Sequence, residues 1–162
     1  MASGDLIVRF GPKDADPPTA SFATFDLRNA RPVIDFAIGE SVHFADVLGD
    51  WYAGGGLTVT VHFAMSAAIS NSIRLEAAFE RIGVGVQDLD ADGFAAAKNS
   101  GDVVVPGTSG LIGTAVITFA NGAEIDSLVA GESFRLILTR IAAGGTDATG
   151  DLELHRIDIE ET

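Results

Sequence analysis

The chain contains no cysteine, and that one absence removes disulfides, thiolate metal centres, iron–sulfur clusters and cysteine nucleophiles together. Basic residues are also scarce, since ten Lys and Arg stand against 23 Asp and Glu for a formal net charge of -13. A nucleic-acid backbone would meet net repulsion, so DNA and RNA are not expected partners. Aromatic residues make up only 7% of the chain, with Trp51 and Tyr52 its single Trp and single Tyr. No long apolar run is present either. Tyr52 to Ile73 lacks charged residues but alternates apolar and polar side chains, and Val103 to Ala123 is broken by Pro106, Gly107, Gly110, Gly113 and Gly122. Neither pattern is that of a membrane helix. Met1 to Asp5 carries no basic stretch leading into an apolar one, so no secretory signal is expected.

What is present suits one folded domain. With 162 residues, 47% of them hydrophobic, and a mean hydropathy of +0.30, the chain has enough apolar surface for a sizeable core. Its dominant pattern has period two. Leu57, Val59, Val61, Phe63 and Met65 alternate with Thr58, Thr60, His62 and Ala64, and Ile73, Leu75, Ala77 and Phe79 continue in the same way after Ser66 to Ser72. These two runs are expected to form a hairpin that sets His62 opposite Glu76 and Thr58 opposite Glu80. Further strands are expected at Phe22 to Leu27, Val33 to Ala37, Val42 to Val47, Gly113 to Phe119, Ser133 to Ile141 and Asp151 to Glu160. In the last of these Leu152 and Leu154 fall in one phase and Ile157 and Ile159 in the other, which predicts a β-bulge at His155-Arg156. Many short strands without crossover helices indicate an all-β fold, an antiparallel β-sandwich of jelly-roll type.

Residues 1 to 21 stand apart from the sandwich domain of residues 22 to 162. The apolar run Leu6, Ile7, Val8, Phe10 is followed by a spacer with Pro12, Pro17 and Pro18. It fits either an edge strand of the domain or an extended N-terminal arm that pairs with a neighbour, in which case Leu6, Ile7, Val8 and Phe10 are partner-binding residues.

Two other segments are candidate sites. Asp88, Asp90 and Asp92 precede Gly93 in the spacing that opens a calcium loop, but Asn99 replaces the glutamate at its twelfth position. They are either a structural calcium site or a solvated acidic loop. Trp51 and Tyr52 lie beside Gly54, Gly55 and Gly56, which leads into a strand and not a helix, so a phosphate loop is not indicated. These two aromatics cap the end of a core or anchor a subunit or ligand contact. Catalytic signals are weak: Gly131-Glu-Ser133-Phe-Arg135 lacks the second glycine of a nucleophile elbow, and His43, His62 and His155 fall in separate strands without ligand spacing. No other cofactor is expected.

The stretches Tyr52 to Phe63, Ala78 to Gly83, Gln87 to Phe94 and Pro106 to Gly110 resemble virion structural proteins of tailed bacteriophages, a resemblance covering most of residues 24 to 161. In size, all-β pattern and composition the chain also looks like the jelly-roll decoration, or cement, proteins of phage capsids. The resemblance implies a non-enzymatic protein on the head exterior of a virion, with the major capsid protein and copies of itself, as a homotrimer, for partners. A tail or fibre component is the nearest variant. A carbohydrate-binding module is the alternative of another class, because jelly rolls also carry such modules, and a glycosidase or lyase on the same fold is the third.

Overall fold

The computed structural model describes residues 4 to 162. Their strands build two antiparallel sheets packed face to face. The first sheet runs, in spatial order, β2 (Thr24–Arg28), β3 (Arg31–Phe36), β11 (Leu152–Glu161), β5 (Leu57–Met65) and β9 (Gly113–Phe119), with β1 (Leu6–Phe10) also paired to β11. The second runs β4 (Ser41–Val47), β10 (Ser133–Ile141), β6 (Ser72–Ile82) and β7 (Lys98–Asn99), with β8 (Val103–Val104) also on β6. This is the β-sandwich that the period-two pattern predicts.

Alternation places the core between the layers. The odd-numbered residues of β5 and Ile73, Leu75, Ala77 and Phe79 of β6 are buried together. A file of rings joins the sheets: Phe10 stacks on Phe44 at 5.0 Å, Phe79 lies 5.8 Å from Phe134, and Phe79 meets Phe119 edge-on at 5.0 Å. Each fully buried ring contributes about 1.5–3 kcal/mol of apolar transfer.

The pairing of β5 with β6 differs from the expected hairpin. The two strands lie in different sheets, with residues 66 to 71 carrying the chain across the sandwich. His62 therefore sits between Arg156 of β11 and Thr114 of β9, while Glu76 sits between Thr139 of β10 and Asn99 of β7. Period-two alternation says which side chains face the core, and two strands facing one core from opposite layers satisfy it as well as two in one sheet.

For the N-terminal run, the structure takes the edge-strand alternative. β1 pairs with β11 of its own chain, and Ile7, Val8 and Phe10 are buried in the domain's core, which removes them as contacts for a partner; Leu6 alone stays half-exposed. The segment after it is no free tether. Asp16 exchanges two backbone hydrogen bonds with His43, and Ala23 and Ser41 bind Ser41 and Ser21 carbonyls, so residues 16 to 23 cover the open edge of β4. Residues 1 to 3 of the expected arm lie outside the described residues.

Arg140 of β10 closes the end of the sandwich where β3 gives way to β4. Its guanidinium is buried and donates to the carbonyls of Phe36 (3.0 Å), Ala148 (2.8 Å) and Gly150 (2.7 Å). Burial pulls its pKa below the usual arginine value, against the charges of Asp147 and Asp151.

Candidate functional site

One edge of β11 is shared by two strands. Ile34, Asp35 and Phe36 of β3 pair with Leu154, Glu153 and Leu152, whereas Val8, Arg9 and Phe10 of β1 pair with Ile159, Asp158 and Ile157. Between them lies the register shift at His155, the bulge that the parity break predicts. A bulge ends pairing and turns a side chain outward. Beyond Ile34, β3 no longer pairs with β11, and with β2 it continues as a two-stranded ribbon.

That ribbon turns at Asn29-Ala30, both in the left-handed region with φ of 48° and 62°, the geometry of a tight two-residue hairpin turn. Arg28 and Arg31 flank it as a cross-strand pair. Arg28 Nη1 donates to the Met65 carbonyl (2.9 Å) and to Glu153 Oε2 (2.5 Å), which ties the ribbon to the outer face of the first sheet. Gly110 is required on the opposite side: its φ is +84°, and a Cβ there would come within 2.9 Å of Arg28 Nη2.

The result is a groove of about 350 Å³, within the range of small-ligand sites. Arg28, Asn29, Arg31, Glu153, His155 and Ile112 are among its walls, with Val33 and Ala64 also lining it. Arg31 and His155 are exposed, while Glu153 is almost fully covered and held by Arg28.

Acidic groups behind the groove stand under electrostatic tension. Asp35 lies directly opposite Glu153 in the β3–β11 ladder, and its Oδ1 is buried without a partner among the described residues. Burial first, then the charges of Asp26 and Glu153, push the Asp35 carboxyl up to about 6. Farther along the same face Asp158 is nearly buried. It accepts from Arg9 Nε (2.6 Å) and Arg156 Nε (3.2 Å) and meets His62 Nε2 at 3.2 Å. Burial alone would raise its pKa, but the Arg9 hydrogen bond and the Arg156 charge outweigh it and hold the carboxylate below its ordinary range. Burial and Arg156 lower the His62 pKa against Asp158, keeping the imidazole on the neutral side.

The sequence-selected residues lie elsewhere. Tyr52 is buried, and its hydroxyl donates to the Gly55 carbonyl. Glu161 accepts from the Ala53 and Gly55 amides, fastening this loop to the end of β11. Trp51 is 57% exposed, its ring lying over Gly49, where a Cβ would come within 2.4 Å of it. The loop thus splits the two aromatics between core and surface. Asp88, Asp90 and Asp92 do not converge: Asp88 uses its carboxylate on the Asp90 amide (3.0 Å) and its carbonyl on the Ala91 and Asp92 amides. The segment is an exposed turn, and among the described residues no group of three or more His, Asp or Glu is placed to hold a metal ion. Arg28, Asn29, Arg31 and Glu153 carry no sequence motif. The parity break at His155 was the one signal near the groove.

Neither a protein-family model nor a curated protein sequence matches the chain. Solved structures do. A family 6 carbohydrate-binding module from Clostridium stercorarium, in complex with cellobiose, superposes with a TM-score of 0.54 at 15% identity, covering 96% of this chain and 95% of that one. A family 35 carbohydrate-binding module from Clostridium thermocellum gives 0.53 at 14% identity, with 96% and 98% coverage. A xylan-binding module, CBM15, gives 0.53 at 8% identity over 98% of each chain. The chain has the β-sandwich fold of these modules. The finding overturns the capsid-decoration reading and its variant in a tail or fibre, together with the major capsid protein and the homotrimer as partners, because these neighbours are carbohydrate-binding modules. The features behind that reading, namely size, all-β pattern and composition, are common to many sandwiches and do not distinguish among them.

Proposed function

We propose that the chain is a non-catalytic carbohydrate-binding module and that the groove between the β2–β3 turn, the bulge at His155 and the Gly110 loop receives the sugar. The groove carries this reading. It is small-ligand sized, the Arg28–Glu153 pair fixes one of its polar walls, and it sits on a fold whose solved neighbours include a complex with cellobiose. Arg28 is held by both Met65 and Glu153, so that wall is set before any ligand arrives, which reduces the ordering cost of binding. No Phe, Tyr or Trp ring is among the residues lining the groove, so contact rests on hydrogen bonds and on the apolar Val33, Ala64 and Ile112. Affinity should be modest, with a Kd of about 0.1–1 mM. A catalytic role is not favoured, because the groove's carboxylate, Glu153, is committed to an ion pair with Arg28.

The test is affinity electrophoresis on gels containing soluble glucans, xylans or pectic polysaccharides. Retardation on at least one, weakened by His155→Ala, is expected. Retardation abolished by Trp51→Ala and untouched by His155→Ala would place the site at the loop end, and no retardation on any gel would refute the proposal.

A further inference from the structure

Seven of the ten basic residues are ion-paired: Arg9 and Arg156 share Asp158, while Arg28, Arg74, Arg81, Lys98 and Arg135 hold Glu153, Asp102, Glu132, Glu124 and Glu80. Arg140 is spent on backbone carbonyls. In a chain with a net charge of -13, carboxylates abound and an unpaired arginine stands out. Among the described residues the Arg31 side chain makes no ion pair and no hydrogen bond, and it is exposed in the wall of the groove.

The rest of the wall has the same character. Glu153, its one carboxylate, is covered and neutralised by Arg28, so the groups left free toward a ligand are the guanidinium of Arg31, the remaining N–H groups of Arg28, the Asn29 amide and the His155 ring. The two guanidinium groups offer only donors, and the Asn29 carboxamide oxygen and one His155 ring nitrogen are the acceptors among the four. A neutral sugar presents hydroxyls that both donate and accept, and its donors would find few acceptors here. A carboxylate presents only acceptors, in the planar spacing that a guanidinium fork matches with two parallel hydrogen bonds.

Resting on the carbohydrate-binding reading, we infer that the groove selects glycans carrying a carboxylate, that is, uronic-acid residues, with Arg31 as the group that holds the anion. The surrounding negative charge opposes any polyanion at long range, so the preference is for a single acidic residue seated at Arg31 and not for a highly charged chain as such.

Isothermal titration with trigalacturonic acid, its fully methyl-esterified form and cellotriose tests this, using the full chain. The acid should bind at least about tenfold more tightly than the ester, equivalent to about 1.4 kcal/mol. That advantage should shrink between about 20 mM and about 500 mM salt as the exposed pair is screened. Arg31→Gln, on an exposed strand end, should bring acid and ester to equal affinity with an unchanged circular dichroism spectrum and melting temperature. Equal binding of acid and ester by the native chain, or an acid preference that survives Arg31→Gln, overturns the inference. Binding of cellotriose alone, lost in His155→Ala, overturns the carboxylate preference and leaves the module reading intact. Failure of all three ligands, together with no retardation on any polysaccharide gel, overturns both.

Discussion

Replacing Asp35 by Asn should make the protein more stable at neutral pH, and the size of the gain follows from its surroundings. Asp35 faces Glu153 directly across the β3–β11 ladder, with one carboxylate oxygen buried and unpartnered, and its pKa is pushed from 3.8 to about 6 by burial and by Asp26 and Glu153. A shift of that size corresponds to about 3 kcal/mol. Asp35 is only partly covered, so solvent screening reduces this to about 1–2 kcal/mol. The sign is set by proton binding. The folded state holds the proton more tightly than the unfolded state, so the Asp35 contribution is unfavourable above pH 6, fades as pH falls from about 6 toward 3.8, and vanishes below that. Asparagine resembles the protonated form and keeps a donor for Asp26. Urea unfolding of Asp35→Asn against the native chain should therefore show a gain of about 1–2 kcal/mol at pH 7.5, about 2–8 °C in melting temperature, shrinking to nothing near pH 3.5. The difference between the two proteins isolates Asp35 from Asp158, Asp102, Glu124 and Glu132, whose lowered pKa values make both proteins less stable as pH falls. A variant no more stable than the native chain at pH 7.5, or one whose advantage persists at pH 3.5, would show that the ionised Asp35 carries no such penalty.

Other consequences are as direct. Ala30 holds a φ of 62° in the β2–β3 turn, a conformation costing a non-glycine residue about 1–2 kcal/mol, so Ala30→Gly should raise stability by about 0.5–1 kcal/mol after the added freedom of the unfolded chain is counted, as measured by urea midpoint. Arg140→Met leaves the carbonyls of Phe36, Ala148 and Gly150 without their donor and should cost about 3 kcal/mol, seen as a fall of about 6–12 °C in melting temperature; a loss under about 1 kcal/mol would show that the buried charge is as costly as its hydrogen bonds are favourable. Because Asp88, Asp90 and Asp92 form a self-bonded turn, adding a chelator should leave the melting temperature unchanged, and a clear drop would show that calcium organises that loop after all.

The layers of the sandwich were legible because burial imposes period-two alternation on each strand, and the bulge at His155 was legible because it reverses that alternation within one strand. Which strands become neighbours was not. β5 and β6 follow each other in sequence and share a phase, yet they lie in opposite sheets, since the core rewards inward-facing side chains irrespective of the layer supplying them. The groove was hidden for a related reason. It arises where Arg28 and Arg31, near the start of the chain, meet Glu153 and His155, near its end, through a turn made by Asn29-Ala30 without the glycine that usually marks it. Trp51 and Tyr52 drew attention as the only residues of their kinds, but rarity says nothing about orientation, and the loop buries Tyr52 while exposing Trp51.

Sugar bound in the groove beside the β2–β3 turn would perturb the residues that line it. Backbone amide chemical shifts followed during titration with a polysaccharide fragment that retards the protein test this placement most directly. The largest changes should fall on Asn29, Arg31, Gly110, Glu153 and His155, saturating together with one Kd. Changes confined to Trp51 and its glycine loop, or scattered without saturation, would contradict it.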